Sequence, residues 1–136
     1  MKATLERKDL LYPELSYRIV GCAFDVFKEI GPGHLEKTYQ RALALSFRQA
    51  GISFTEQVRY DVKFHNEKAG YGFCDFLVED KIIVELKRGK SFVNKEVDQV
   101  IDYLKKSNLQ LGLIIRFTHE GARCKRLINL PPIDVK

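Results

Sequence analysis

Ile82-Ile-Val-Glu85-Leu86 is an apolar run with one acid inside it, and it constrains the fold of this 136-residue chain more than any other feature. Aliphatic and β-branched residues in such a run predict a strand covered on both faces. A carboxylate there is costly unless it is paired or bound to metal. Ten residues upstream stands Asp75, and two residues downstream Lys87. Side chains two apart on a strand share a face, so Glu85 and Lys87 project together.

Whether Asp75 joins them depends on register. Residues directly opposite on antiparallel strands share a face. A two-residue turn at Glu79-Asp80 would set Asp75 opposite Val84, on the face away from Glu85. A three-residue loop, Glu79-Asp80-Lys81, pairs Val78 with Ile82 and Asp75 with Glu85. Both loop lengths are common. The odd loop is expected, because it also gathers Cys74, Phe76, Val78, Ile82, Val84 and Leu86 on one core-facing side. Two crowded carboxylates then repel and hold their pKa values up until a divalent cation relieves them. The alternative is a polar strand face with a cross-strand salt bridge. Oxygen ligands without a His or Cys pair nearby suit magnesium or manganese rather than zinc.

The flanking segments supply the cover. Leu15, Ile19, Cys22, Ala23, Val26, Phe27 and Ile30 form a helical stripe from about Glu14 to Ile30, with Pro13 at its start and Gly31-Pro32-Gly33 at its end. A second helix is expected from about Leu35 to Ala50, with Leu35, Tyr39, Ala42, Leu43, Ser46 and Phe47 on one side and Gly51 as its cap. The period then changes to two. Ser53 to Phe64 reads as a strand, His65 to Gly70 as a turn, and Tyr71 to Val78 and Ile82 to Lys87 as two further strands. Val93, Val97, Val100, Ile101 and Leu104 mark a third helix ending near Ser107-Asn108. Leu109 to Phe117 is a buried strand, Arg123 to Ile128 a short last one, and Pro131-Pro132 closes the fold. The order predicts an α/β domain, a mixed sheet of four to five strands flanked by helices.

Length and composition agree with one domain over residues 1–136, with 45% hydrophobic and 30% charged residues. No apolar run is long enough to span a bilayer, and the N-terminus has no signal-peptide stretch. Three scattered cysteines, Cys22, Cys74 and Cys124, fit packed thiols in a reducing compartment, so a cytoplasmic location is expected. The net charge of +5 favours polyanionic partners. Lys87, Arg88, Lys90 and Lys95 follow the candidate site, and Lys105, Lys106, Arg116, Arg123, Lys125 and Arg126 crowd the C-terminal third. Solvated faces explain such charges equally well.

Asp75 with Glu85-Leu86-Lys87 resembles the PD-(D/E)XK nuclease signature, with Cys74 where a proline often stands. Gly33-His-Leu-Glu36-Lys-Thr-Tyr39 resembles the motif of the GxxExxY proteins, and Gln99-Val-Ile-Asp-Tyr103 that of RecB-type nucleases. Together the segments cover most of the chain, and the resemblance implies a restriction-endonuclease-like core. By that resemblance Asp75, Glu85 and the Leu86 carbonyl hold Mg²⁺ or Mn²⁺, and Glu36 is a further ligand, directly or through water. An acid at Glu36 is also explained by the helix dipole alone. Lys87 would orient or help deprotonate the attacking water and stabilise developing charge.

Tyr39, one turn from Glu36, would support it. Gln99 and Tyr103, on a helix face apart from the core stripe, would contact the nucleic-acid backbone or position Lys87, while Arg88 and Lys90 would bind phosphates. Glu96 shares the Gln99 face and could form an ordinary ion pair. His34 is a further metal candidate, and His65 and His119 read as loop residues. The expected activity is metal-dependent hydrolysis of phosphodiesters, of DNA more than RNA, with little sequence reading and with a homodimer or protein partner to cut both strands of a duplex. The alternative is a non-catalytic nucleic-acid-binding or protein-interaction module retaining the nuclease fold.

Overall fold

The computed structural model describes residues 11–89 and 92–130. Two helices open the chain, α1 (Pro13–Ile30) and α2 (Glu36–Gln49). Pro13 occupies the first turn of α1, where no backbone donor is needed, and Gly31 ends the helix at φ +73°. Gly51, at φ +72°, caps α2 as the sequence predicts: its N–H reaches the Arg48 carbonyl, and the Ile52 N–H the Phe47 carbonyl.

The strands β1 (Phe54–Phe64), β2 (Glu67–Val78) and β3 (Ile82–Arg88) follow, then α3 (Asn94–Ser107), β4 (Leu111–Thr118) and β5 (Gly121–Ile128). They form one sheet in the order β1-β2-β3-β4-β5. Only β3 and β4 run parallel, and α3 is the crossover between them. Val78 pairs with Ile82, so the loop has the predicted odd length, and Glu79 and Asp80 both take positive φ to close it.

Helices cover both faces. Phe76, Val78, Ile82, Val84 and Leu86 join Leu111, Leu113, Ile115 and Phe117 under α1 and α2. Ile83 and Ile114 pack with Val100, Tyr103 and Leu104 of α3 on the other side. That approach is close, because a Cβ on Gly112 would lie 2.7 Å from Val100 Cγ1. Ile82 to Leu86 are buried throughout, as a strand covered on both faces requires. Among the described residues no helix is long and apolar enough to cross a membrane.

Five expectations fail in detail. The segment His65–Gly70 is not a six-residue turn: His65 and Asn66 alone make it, both at positive φ, and β2 begins at Glu67. Cys74 lies under α3 with Ile83 rather than beside Phe76, because side-chain alternation along β2 breaks at Asp75. Leu35 is 66% exposed at the start of α2, and Val93 is 48% exposed just before α3. Tyr103 is in the α3 core, not on a separate face. Pro131-Pro132 lies outside the described residues.

Candidate active site

The site lies where β2 and β3 part. Regular pairing of β2 with β3 ends at Phe76 and Val84. Beyond it, side chains take over the backbone groups. The Asp75 N–H donates to Glu85 Oε1 at 2.9 Å, and the Leu86 N–H donates to Asp75 Oδ2 at 2.7 Å. Each carboxylate thus caps a backbone donor on the opposite strand, which satisfies buried groups and fixes both acids at once. Lys87 Nζ stands 3.7 Å from Glu85 Oε2. The register inferred from the sequence brings this trio together.

Glu85 is 5% exposed. Burial, and then the charge of Asp75, push its carboxyl up to about 8, against the opposing pull of the Asp75 N–H and Lys87. Glu36, at the first position of α2, is also raised, by burial and then by Asp75, with Lys87 and Arg88 acting the other way. Asp75 and Lys87 thus act on it electrostatically. Cys74, packed behind the pair, is raised far above an ordinary thiol by burial and by Glu85 and Asp75, so it stays neutral.

Tyr39 is buried and holds the α1–α2 turn. Its hydroxyl donates to the Gly31 carbonyl at 2.7 Å, and its ring stacks on Phe117 at 4.1 Å. This fixes the start of α2, and with it Glu36, against β4. The His34 ring meets the Ile30 carbonyl at 2.7 Å and Tyr39 edge-on, so it closes the turn rather than joining the acids. Gln99 donates to the Tyr60 hydroxyl at 3.3 Å, and Tyr103 packs edge-to-face on Tyr60 at 4.9 Å. Both brace β1 and β2 from the α3 side, and Tyr103 is too deep to meet a nucleic-acid backbone. Arg88 is exposed at the end of β3, and Lys90 lies outside the described residues.

Two features escaped the sequence reading. Gln57 sits in β1 at φ +51°, an uncommon conformation for such a residue, and donates to Asp75 Oδ1 at 3.3 Å. Arg116 is 1% exposed. It is the register partner of Lys87, bonds the Arg88 carbonyl and the Glu96 carboxylate, and stacks near Phe92. It ties the start of α3 to the end of the strand that carries Lys87. A lone arginine in the apolar run Leu111–Phe117 was the available signal. Arg116 is therefore not among the phosphate-binding cations, and Arg126 is half-buried, reaching Ser16 Oγ at 2.8 Å and the Leu11 carbonyl at 3.3 Å.

Among the described residues no three His, Cys, Asp or Glu side chains converge as a ready ligand set. The chemistry of the pair still fits a hard cation. Glu85 is paired with Lys87, and burial and then the charge of Asp75 drive it toward neutrality. A divalent ion needs few protein oxygens when water and phosphate complete its shell.

The family model described as "PD-(D/E)XK nuclease superfamily" matches residues 13–127. The chain belongs to the PD-(D/E)XK nuclease superfamily. The match spans α1 to β5. Among solved structures the fold is similar to the crystal structure of SSO0001, with a TM-score of 0.57, 15% identity, and coverage of 73% of this chain and 52% of that one. An alkaline exonuclease (LHK-Exo) from Laribacter hongkongensis aligns at a TM-score of 0.48 and 16% identity, over 68% of this chain and 54% of that one, a likeness too loose to carry an argument. The chain spans about half the length of both. No curated protein matches it.

Proposed function

We propose that this PD-(D/E)XK protein is a Mg²⁺- or Mn²⁺-dependent nuclease that hydrolyses phosphodiester bonds of DNA with little sequence specificity. It acts as a single cytoplasmic domain of the GxxExxY branch, on the evidence of Gly33, Glu36 and Tyr39 in that spacing. The observation that carries this reading is the break in the sheet at Asp75. There two carboxyls and Lys87 meet, each acid bonded to the other's strand.

Asp75, Glu85 and the Leu86 carbonyl would hold the ion, with Glu36 completing the set. When bound, it would polarise the scissile phosphate and lower the pKa of the attacking water. Lys87, held by Glu85, orients that water and offsets the charge growing on the phosphoryl oxygens. Water adds to phosphorus, the bond to the leaving sugar oxygen breaks, and that oxygen takes up a proton. Tyr39 positions Glu36, and Gln57 steadies the outer oxygen of Asp75. Arg88 meets phosphate at the rim. Cutting both strands of a duplex calls for two copies of the chain or a partner protein.

The test is incubation with single-stranded, duplex and branched DNA and with RNA, in Mg²⁺, in Mn²⁺ and in chelator. Metal-dependent cleavage of DNA supports the proposal. Cleavage of RNA alone corrects the substrate. Binding that persists in chelator without any cleavage would leave the non-catalytic module as the better reading.

A further inference from the structure

The C-terminal basic cluster suggested by the sequence is partly internal, since Arg116 and Arg126 are engaged within the fold. A different set of cations lines a groove on the α2 side. The outward side of α2 and the edge strand β1 enclose a groove of about 650 Å³. Lys37, Gln40, Arg41 and Arg48 line one wall, and Glu56 and Gln57 the other. The spacing of the helical residues is that of a single face, and Lys37 to Arg48 spans about 16 Å at 1.5 Å per residue. Tyr39, Leu43 and Phe47 face the core, so this stripe is the face α2 leaves uncovered.

The charges in the groove are not equivalent. Arg48 is committed to the wall: it lies 3.9 Å from Glu56 and over the Phe54 ring at 5.2 Å. Glu56 also accepts from Gln40. Lys37 and Arg41 are exposed and make no ion pair with any described residue. They stand about 6 Å apart along the helix, one turn from each other. Of the lining residues, Gln57 donates directly to Asp75 Oδ1. Lys37 and Arg41 thus have no ion-pair partner among the described residues, and the partner they complement is a polyanion passing Gln57, which is bonded to Asp75.

We propose that Lys37 and Arg41 form a phosphate track that lays one nucleic-acid strand along the α2–β1 groove and leads it to Asp75. The proposal rests on the nuclease reading for the identity of the polyanion. The two are separable, because the track is tested by binding in chelator, where cleavage plays no part. Contacts of this kind fix the path of the backbone and read no sequence.

The experiment measures fluorescence anisotropy of a short labelled oligodeoxynucleotide with the full chain, in chelator, from about 50 to about 200 mM salt. Wild type is compared with Lys37→Gln/Arg41→Gln and with Lys105→Gln/Arg123→Gln, which removes equal charge from α3 and from the far sheet edge. Glutamine preserves helix propensity at the α2 positions, and thermal melts monitored by circular dichroism check that all three proteins are folded. The expected result is that the slope of log affinity against log salt becomes shallower by about 1.5 in the α2 variant, from two lost phosphate contacts at about 0.7–0.9 each. The control keeps the wild-type slope. An unchanged slope in the α2 variant, an equal loss in the control, or no binding by wild type would each overturn the track. Binding with the expected slopes but no cleavage in metal would leave the track standing and remove the nuclease reading.

Discussion

Raising the pH of the metal-free protein should destabilise it, and the acid pair sets the size of the effect. Glu85 rises from an ordinary value of 4.5 to about 8 in the folded protein, through burial and then the charge of Asp75. The folded state therefore binds more protons than the unfolded chain between those values. Stability is fully present below 4.5 and is lost as pH rises through 8. At about 1.4 kcal/mol per pH unit, two units within the window cost about 3 kcal/mol. For a chain of this size that is a fall in Tm on the order of 10 °C. The assay is thermal unfolding in chelator from about pH 5 to about pH 7, for wild type and Glu85→Gln. Wild type should lose Tm across the range, and Glu85→Gln should lose about 3 kcal/mol less. Added Mg²⁺ should restore the wild type most at the alkaline end, since it binds the ionised pair. Equal slopes for the two proteins in chelator would refute the assignment of the strained carboxyl to Glu85.

The structural supports give independent expectations. Glu96→Ala leaves the buried Arg116 guanidinium without its carboxylate and should cost about 3–5 kcal/mol in urea unfolding. Gly112→Ala brings a Cβ to 2.7 Å from Val100, so overpacking beneath α3 should lower stability by about 1–3 kcal/mol. Tyr39→Phe removes the bond to the Gly31 carbonyl and should cost about 1 kcal/mol by the same measurement. If Tyr39 acts by fixing α2, the same substitution lowers metal affinity without shifting the pH profile of cleavage.

The elements that follow from local periodicity were legible in the sequence. The amphipathic stripes of α1 and α2, the alternation of β1 and the doubly buried run of β3 each depend on residues a few positions apart. The odd loop and its Val78–Ile82 register were legible too, because a one-residue slip would have turned a core residue out and a carboxylate in, although pairing stops one residue short of Asp75 and Glu85. What stayed hidden depends on distant partners. Nothing local marks Tyr103 as core, since its burial comes from Tyr60 and Cys74 on the ribbon above it. The shift of Cys74 to the α3 face follows from the break at Asp75, which only the exchanged backbone bonds produce. Arg116 looked like one more surface cation until β4 became an interior strand and Glu96 faced it across the crossover. Charge counts by segment could not separate these internal arginines from the open pair on α2.

The central claim is that Asp75, Glu85 and Lys87 form one metal-dependent hydrolytic site. Single-turnover cleavage of an end-labelled DNA strand in Mn²⁺ tests it most directly, comparing wild type with Asp75→Ala and Lys87→Ala. The account predicts cleavage by wild type that stops in chelator, and a loss of at least about a hundredfold in each variant. Cleavage by either variant at the wild-type rate, or cleavage that persists in chelator, would contradict it.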